Sequence, residues 1–173
     1  MFKIFYPKEC ADSTYQIDFK SLYVRGYRGV LFDIDNTLVP HGSPADERAV
    51  ELFAELRKMG FHTCLISNNK EPRVKPFAEA VDSPYIYDAH KPSGKNYQKA
   101  MQIMGTDITN SLFVGDQLFT DVFGANRADM YTILVKPIHP KEEIQIILKR
   151  RLEWIVLFFY KRRLHKLNKK TYR

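Results

Sequence analysis

Four short apolar runs in this chain of 173 residues each stop at a cluster of polar side chains, and that repeated form limits the folds open to it. Gly29-Val30-Leu31-Phe32 runs into Asp33-Ile34-Asp35-Asn36-Thr37. The run from Phe61 to Ile66 gives way to Ser67-Asn68-Asn69, and Tyr85-Ile86-Tyr87 leads to Asp88-Ala89-His90-Lys91-Pro92. Ser111-Leu112-Phe113-Val114 ends in Gly115-Asp116, with Asp121 five residues further on. Runs of this length fit buried strands, and a fifth follows at Thr132–Val135. Between them the apolar period changes to that of helices. Pro44 to Met59 carries Val50, Phe53, Ala54 and Leu56 on one face, with Gly60 as a stop. Further helices are predicted near Pro72–Val81, from Ser93 to Met104, and near Leu118–Ala128. Pro72 suits an early helical position and Pro76 does not, so that helix is expected to start late or to bend. Alternating strand and helix predict an α/β fold, three layers around a central parallel sheet.

A parallel sheet brings its strand ends to one edge, where ligands sit in α/β folds. The collected set is Asp33, Asp35, Asp116 and Asp121 with Ser67, Lys91 and free backbone N–H groups. Carboxylates that close repel, and a divalent cation relieves the repulsion. Oxygen donors with no neighbouring cysteine or histidine favour Mg²⁺ over zinc. One aspartate there can attack phosphorus while another moves protons, two roles set by environment. A cation site beside an anion site suits a phosphate ester. Taken alone, Asp-x-Asp reads equally well as a turn that caps the next helix; the other three strand ends weigh against that.

In this set the chain resembles the haloacid dehalogenase (HAD) superfamily of aspartyl phosphatases. Residues 33–38 resemble its first motif, Ser67 the second, Lys91-Pro92 the third, and Gly115-Asp116 with Thr120-Asp121 the fourth. The likeness runs from about residue 20 to about residue 137. Within the superfamily it is similar to the small YqeG-like phosphatases of subfamily IIIA, whose relatives include phosphatidylglycerophosphate phosphatases. The resemblance implies a Rossmann-like fold and Mg²⁺ as cofactor. Asp33 would be the nucleophile that forms an aspartyl-phosphate. Asp35 would protonate the leaving oxygen, then activate water, and lend its backbone carbonyl to the metal. Thr37, Ser67, Asn68 and Lys91 would bind the phosphoryl group, and Asp116 and Asp121 would join Asp33 and Asp35 around the ion.

Spacing adds a constraint. Between Thr37 and Ser67 lie 29 residues, and between Ser67 and Lys91 lie 23; one helix and one strand consume most of each gap. Neither has room for a folded lid. By analogy with the superfamily, a capless enzyme acts on a large or surface-held substrate, here a phospholipid monoester such as phosphatidylglycerophosphate. A nucleic-acid or protein phosphate is the alternative substrate, and a non-enzymatic binding protein on the same scaffold is the alternative role.

Charge separates the tail from the body. Residues 149–173 hold ten Lys/Arg and one acid, Glu153, whereas the other 148 residues hold 17 Lys/Arg and 19 acids. The division predicted is an N-terminal arm at 1–28 with a short helix near Ser13–Leu22, a phosphatase domain at 29–148, and a basic, aromatic tail at 149–173. From Lys141 the tail reads as a helix, with Ile144, Ile147, Leu148, Leu152, Ile155 and Phe159 in helical period. Its densest stretch, Trp154–Tyr160, is too short to span a bilayer, which needs about 20 residues. Aromatic bulk flanked by Arg150-Arg151 and Lys161-Arg162-Arg163 suits three surfaces: the body of the protein or another copy, an anionic membrane face, or nucleic acid. Beyond Leu164 apolar content falls and disorder is expected. Cys10 and Cys64 form no metal or disulfide pattern, and Met1–Pro7 is too short for a leader, so a reducing, cytoplasmic setting is expected.

Overall fold

The computed structural model describes residues 3–139 and 144–171, with side chains placed over 3–139 and 151–165. Six parallel strands form its centre: β1 (Glu9–Ala11), β2 (Gly29–Phe32), β3 (His62–Ile66), β4 (Tyr85–Ile86), β5 (Ser111–Gly115) and β6 (Tyr131–Val135). Their spatial order is β1-β6-β5-β2-β3-β4. The chain adds strands outward from β2 to β4, then crosses back to place β5 on the other side of β2. That crossing is a topological switch point, and it lies between Phe32 and Val114, which are in register.

Strand residues alternate between two packed faces. Val30, Phe32, Leu65, Leu112, Val114 and Ile133 face one layer, built from α1 (Phe19–Val24), α2 (Glu47–Met59) and α3 (Glu71–Val81). Leu31, Cys64, Ile66 and Phe113 face the other, with α4 (Lys95–Met104) and α5 (Phe123–Arg127). Gly60 and Gly105 end α2 and α4 in the left-handed conformation, as their places after the apolar stripe predict. Only α2 separates β2 from β3 and only α3 separates β3 from β4, so no folded lid interrupts the described chain there.

Three expectations need correction. The arm at 1–28 is part of the sheet: Cys10 pairs with Leu134 and Ala11 with Val135. Its turn at Thr14–Gln16 and its helix α1 stand where one helix was predicted. Helix α3 starts at Glu71, ahead of Pro72, and continues through Pro76. It forgoes one backbone hydrogen bond and keeps Val74, Phe77, Ala78 and Val81 buried, a larger gain. The tail is helical as α6 (Ile144–Thr171), past the point where order was expected to fail. The stripe read from its period does not face inward: Leu152, Ile155 and Phe159 are exposed, while Glu153, Val156 and Tyr160 turn to the body. No helix among the described residues is long and apolar enough to cross a membrane.

Candidate active site at the carboxyl edge of the sheet

Extension stops immediately after β2. Asn36 adopts a positive φ of 63°, and the N–H groups of Thr37 and Leu38 return to the Ile34 carbonyl. This tight turn gives the two aspartates separate surroundings. Asp33, at 7% exposure, meets Lys91 Nζ at 2.5 Å, and the same ammonium meets Asp121 Oδ1 at 2.7 Å. Thr37 Oγ1 lies 3.4 Å from Asp33 Oδ2 and 3.3 Å from Asp116 Oδ1. Oxygens of Asp33, Asp116 and Asp121 lie within 4.8 Å of one another, and all three residues are buried. Asp35 belongs to a different constellation. Its carboxylate accepts hydrogen bonds from Gly42 N at 2.7 Å, Asn69 Nδ2 at 2.6 Å and Arg73 Nη2 at 2.9 Å.

Local structure explains how Asp121 arrives. Residues Leu118–Val122 form a single π-helical turn ahead of α5, a wider turn that recurs at functional sites. It carries the Asp121 side chain back over the end of β5. A Cβ on Gly115 would lie 2.5 Å from Asp121 Oδ2, so only glycine leaves space for that carboxylate. Backbone N–H of Gln117 donates to Asp121 Oδ2 at 3.0 Å and completes the clamp.

Electrostatics follow from burial. Removal from water drives the Asp33 carboxyl above its ordinary range, and Lys91 draws it back. Burial alone would lower Lys91, yet Asp121 and Asp33 together hold it above its ordinary value. These tendencies conflict, because a protonated Asp33 would not support Lys91. Contacts of 2.5 and 2.7 Å to two carboxylates make the ion-paired form the consistent one. Two of the three buried carboxylates then share one lysine, so acidic groups outnumber the cation that contacts them. All-oxygen donors with surplus negative charge fit a hard divalent cation such as Mg²⁺.

Ser67 and Asn68 build the neighbouring loop. Ser67 Oγ accepts from Asn69 N at 3.1 Å. Asn68 Oδ1 accepts from Lys91 N at 2.7 Å, and its amide donates to the Lys91 carbonyl at 3.4 Å, fixing the backbone that presents the lysine. Lys70, at the end of the same loop, pairs with Asp88 at 2.7 Å.

The sequence reading missed Arg73 and Asn69, which hold Asp35. One signal was available: Arg73 stands in the first turn of α3, where a cation opposes the helix dipole unless an anion holds it. It also missed Thr14, whose hydroxyl donates to the Thr37 carbonyl at 2.7 Å, and Tyr15, whose hydroxyl donates to the Leu38 carbonyl at 2.6 Å.

Residues 41–129 match the family described as haloacid dehalogenase-like hydrolase. The probable phosphatase YqeG of Bacillus subtilis is 37% identical over 164 residues, covering 94% of this chain and 95% of that protein. The chain belongs to the haloacid dehalogenase-like hydrolases. Within that family it is a YqeG-like phosphatase of subfamily IIIA. The chloroplastic phosphatidylglycerophosphate phosphatase 1 of Chlamydomonas reinhardtii is 28% identical over 162 residues, which is 86% of this chain and 60% of that longer protein. Among solved structures, an uncharacterized protein from Listeria monocytogenes superposes with a TM-score of 0.54 at 18% identity, over 67% of this chain and 84% of that one. That likeness concerns the fold alone.

Proposed function

We propose that this phosphatase hydrolyses a phosphomonoester borne by a phospholipid, through an aspartyl-phosphate on Asp33. The observation that carries the reading is the buried group of Asp33, Lys91, Asp116 and Asp121 at the switch point of the sheet. Asp33 attacks phosphorus with a carboxylate oxygen, and the bond from phosphorus to the ester oxygen breaks. Asp35, carrying a proton on Oδ2 for this step while Oδ1 stays held by Gly42 N and Arg73, gives that proton to the departing oxygen. In the second half Asp35 takes a proton from water, whose oxygen attacks phosphorus and frees the Asp33 carboxylate. Lys91 offsets charge on the nucleophile and the phosphoryl oxygens, and Thr37, Ser67 and Asn68 position them. Asp33, Asp116, Asp121 and the Asp35 carbonyl would hold Mg²⁺, which supplies further neutralisation of phosphoryl charge when bound.

Three features favour a lipid-borne substrate. The described chain has no folded lid between β2 and β4. Helix α6 exposes Trp154, Ile155, Phe158 and Phe159 together with Arg151, Arg162 and Arg163, a pairing suited to an anionic membrane surface. A relative sharing 28% identity is a phosphatidylglycerophosphate phosphatase.

The test compares phosphatidylglycerophosphate in vesicles with a soluble aryl phosphate, each with and without Mg²⁺. Wild-type protein is expected to prefer the lipid and to require the ion. Asp33→Asn is expected to lose at least about 10³ in kcat on both substrates. Equal turnover of the two esters would sink the lipid assignment; an active Asp33→Asn protein would sink the mechanism.

A further inference from the structure

A groove of about 430 Å³ runs between α6 and the β1–β6 edge of the sheet. Cys10 and Leu134 line it from the strands, and Trp154, Leu157 and Tyr160 line it from the helix. Its volume is that of a small-molecule pocket, about 300–1,000 Å³. Asp116 lines the same groove, so this space adjoins the carboxylate group of the candidate active site. Lys136 and Lys161 also line it, Lys136 paired with Asp12 at 2.6 Å, so charged groups stand at the rim of an apolar wall.

Helix α6 is fastened beside this groove by a specific polar contact. Glu153 is 5% exposed, and its carboxylate accepts from Leu118 N at 2.7 Å and Phe119 N at 3.4 Å. Those two residues open the turn that carries Asp121. The helix that walls the groove is therefore hydrogen-bonded to the turn that shapes the site. Val156 and Leu157 pack with Leu118, Val122 and Leu134 to complete the joint. Trp154 is left 69% exposed at the groove, its ring stacked on the exposed Phe158 at 6.0 Å between centroids.

We infer that this groove receives the apolar chain of the phosphomonoester's leaving group, with the phosphoryl end beside Asp116. The assignment rests on the phosphatase reading above and adds where substrate selectivity resides. Continuity with Asp116 argues for this occupant: a group joined to a phosphate held at the carboxylates reaches directly into the groove.

Trp154 is the single tryptophan of the chain and lies in the groove wall, so it reports occupancy directly. The probe is dihexanoylphosphatidylglycerol below its micelle concentration, where no lipid surface exists. Wild-type emission is expected to shift to the blue and saturate, while glycerol phosphate at equal concentration gives no shift. Cys10→Phe, on the exposed edge strand, fills the groove and keeps the reporter; it is expected to weaken the midpoint at least tenfold. The same variant is expected to lower the ratio of kcat/KM for a diacyl phosphomonoester to that for an aryl phosphate about tenfold, at a Tm near wild type. Trp154→Phe, which disturbs no buried contact, is expected to lower that ratio in the same direction. No shift in the wild type, or an equal shift in Cys10→Phe, overturns the inference even if phospholipid monoesters are turned over. A saturable shift that Cys10→Phe abolishes upholds the groove even if the wild type proves inert toward those esters, in which case the lipid-phosphatase reading alone falls.

Discussion

Around β2 and β5 the carboxyl edge of the sheet is buried and charged; around β1 and β6 the same edge is open and largely apolar. Asp33 and Asp116 stand at adjacent strand ends and share Thr37. Two strands away, Cys10, Leu134 and Trp154 enclose space that no side chain fills. The contrast separates chemistry from selectivity. On the proposed reading, the ion pairs set what happens to phosphorus and the apolar wall sets which ester is presented.

The charged half is most easily broken at Lys91. Lys91→Met leaves Asp33 and Asp121 facing each other without a cation, so turnover is expected to fall by about 10²–10³. Stability in the absence of divalent ions is expected to fall by about 3–5 kcal/mol, read by thermal unfolding. Added Mg²⁺ should recover part of that loss, because a cation bound only by the folded state stabilises it.

A subtler break is Gly115→Ala. Its new methyl group meets the Asp121 carboxyl at 2.5–2.7 Å, and overpacking of this kind costs about 1–3 kcal/mol. Gly94→Ala, with nothing within 4 Å, is the control and should leave turnover unchanged. Equal effects in the two variants would show that Asp121 tolerates displacement.

Arg73 tests positioning. Arg73→Lys keeps the charge but loses the planar contact to Asp35, and kcat is expected to drop about tenfold with little change in KM. The pH profile should change as well, which a purely structural arginine would not cause.

The smallest effect distinguishes the two cysteines. Burial pushes the Cys64 thiol up to about 12; partial burial also raises the Cys10 thiol, but that residue is exposed at the groove. In the unfolded chain Cys64 ionises near its ordinary value of 9.0, so above that pH the unfolded state loses its proton first. The contribution is whole below pH 9 and wanes toward pH 12. Cys64→Ala should therefore flatten the stability loss near pH 10 by about 1 kcal/mol, measured by denaturant titration. A thiol reagent at neutral pH should label Cys10 alone.

The charged half was legible because each of its residues follows an apolar run within a few positions. Asp33 and Asp116 needed only strand ends and parallel pairing to be brought together. Asp121 was harder, since its approach depends on a π-helical turn that no period announces. Strand β1 escaped notice because Glu-Cys-Ala is short, exposed and lacks alternation. The inward face of α6 escaped because Glu153 occupies it, a charge placed there by two backbone donors rather than by hydropathy. Arg73 and Asn69 belong to a loop and a first helical turn, where partner choice is tertiary. In this chain residues that act through one strand end are readable, and residues that act across two elements are not.

The arm that supplies β1 also carries Thr14 and Tyr15, which hold the Thr37 and Leu38 carbonyls. Its partner β6 begins more than a hundred residues later in the chain, at Tyr131. During synthesis the earliest segment must therefore wait for nearly the latest strand before it docks, a long-range closure that is slow by nature. The loop bearing Asp33 is thus braced by an arm whose own strand is secured only when β6 is in place.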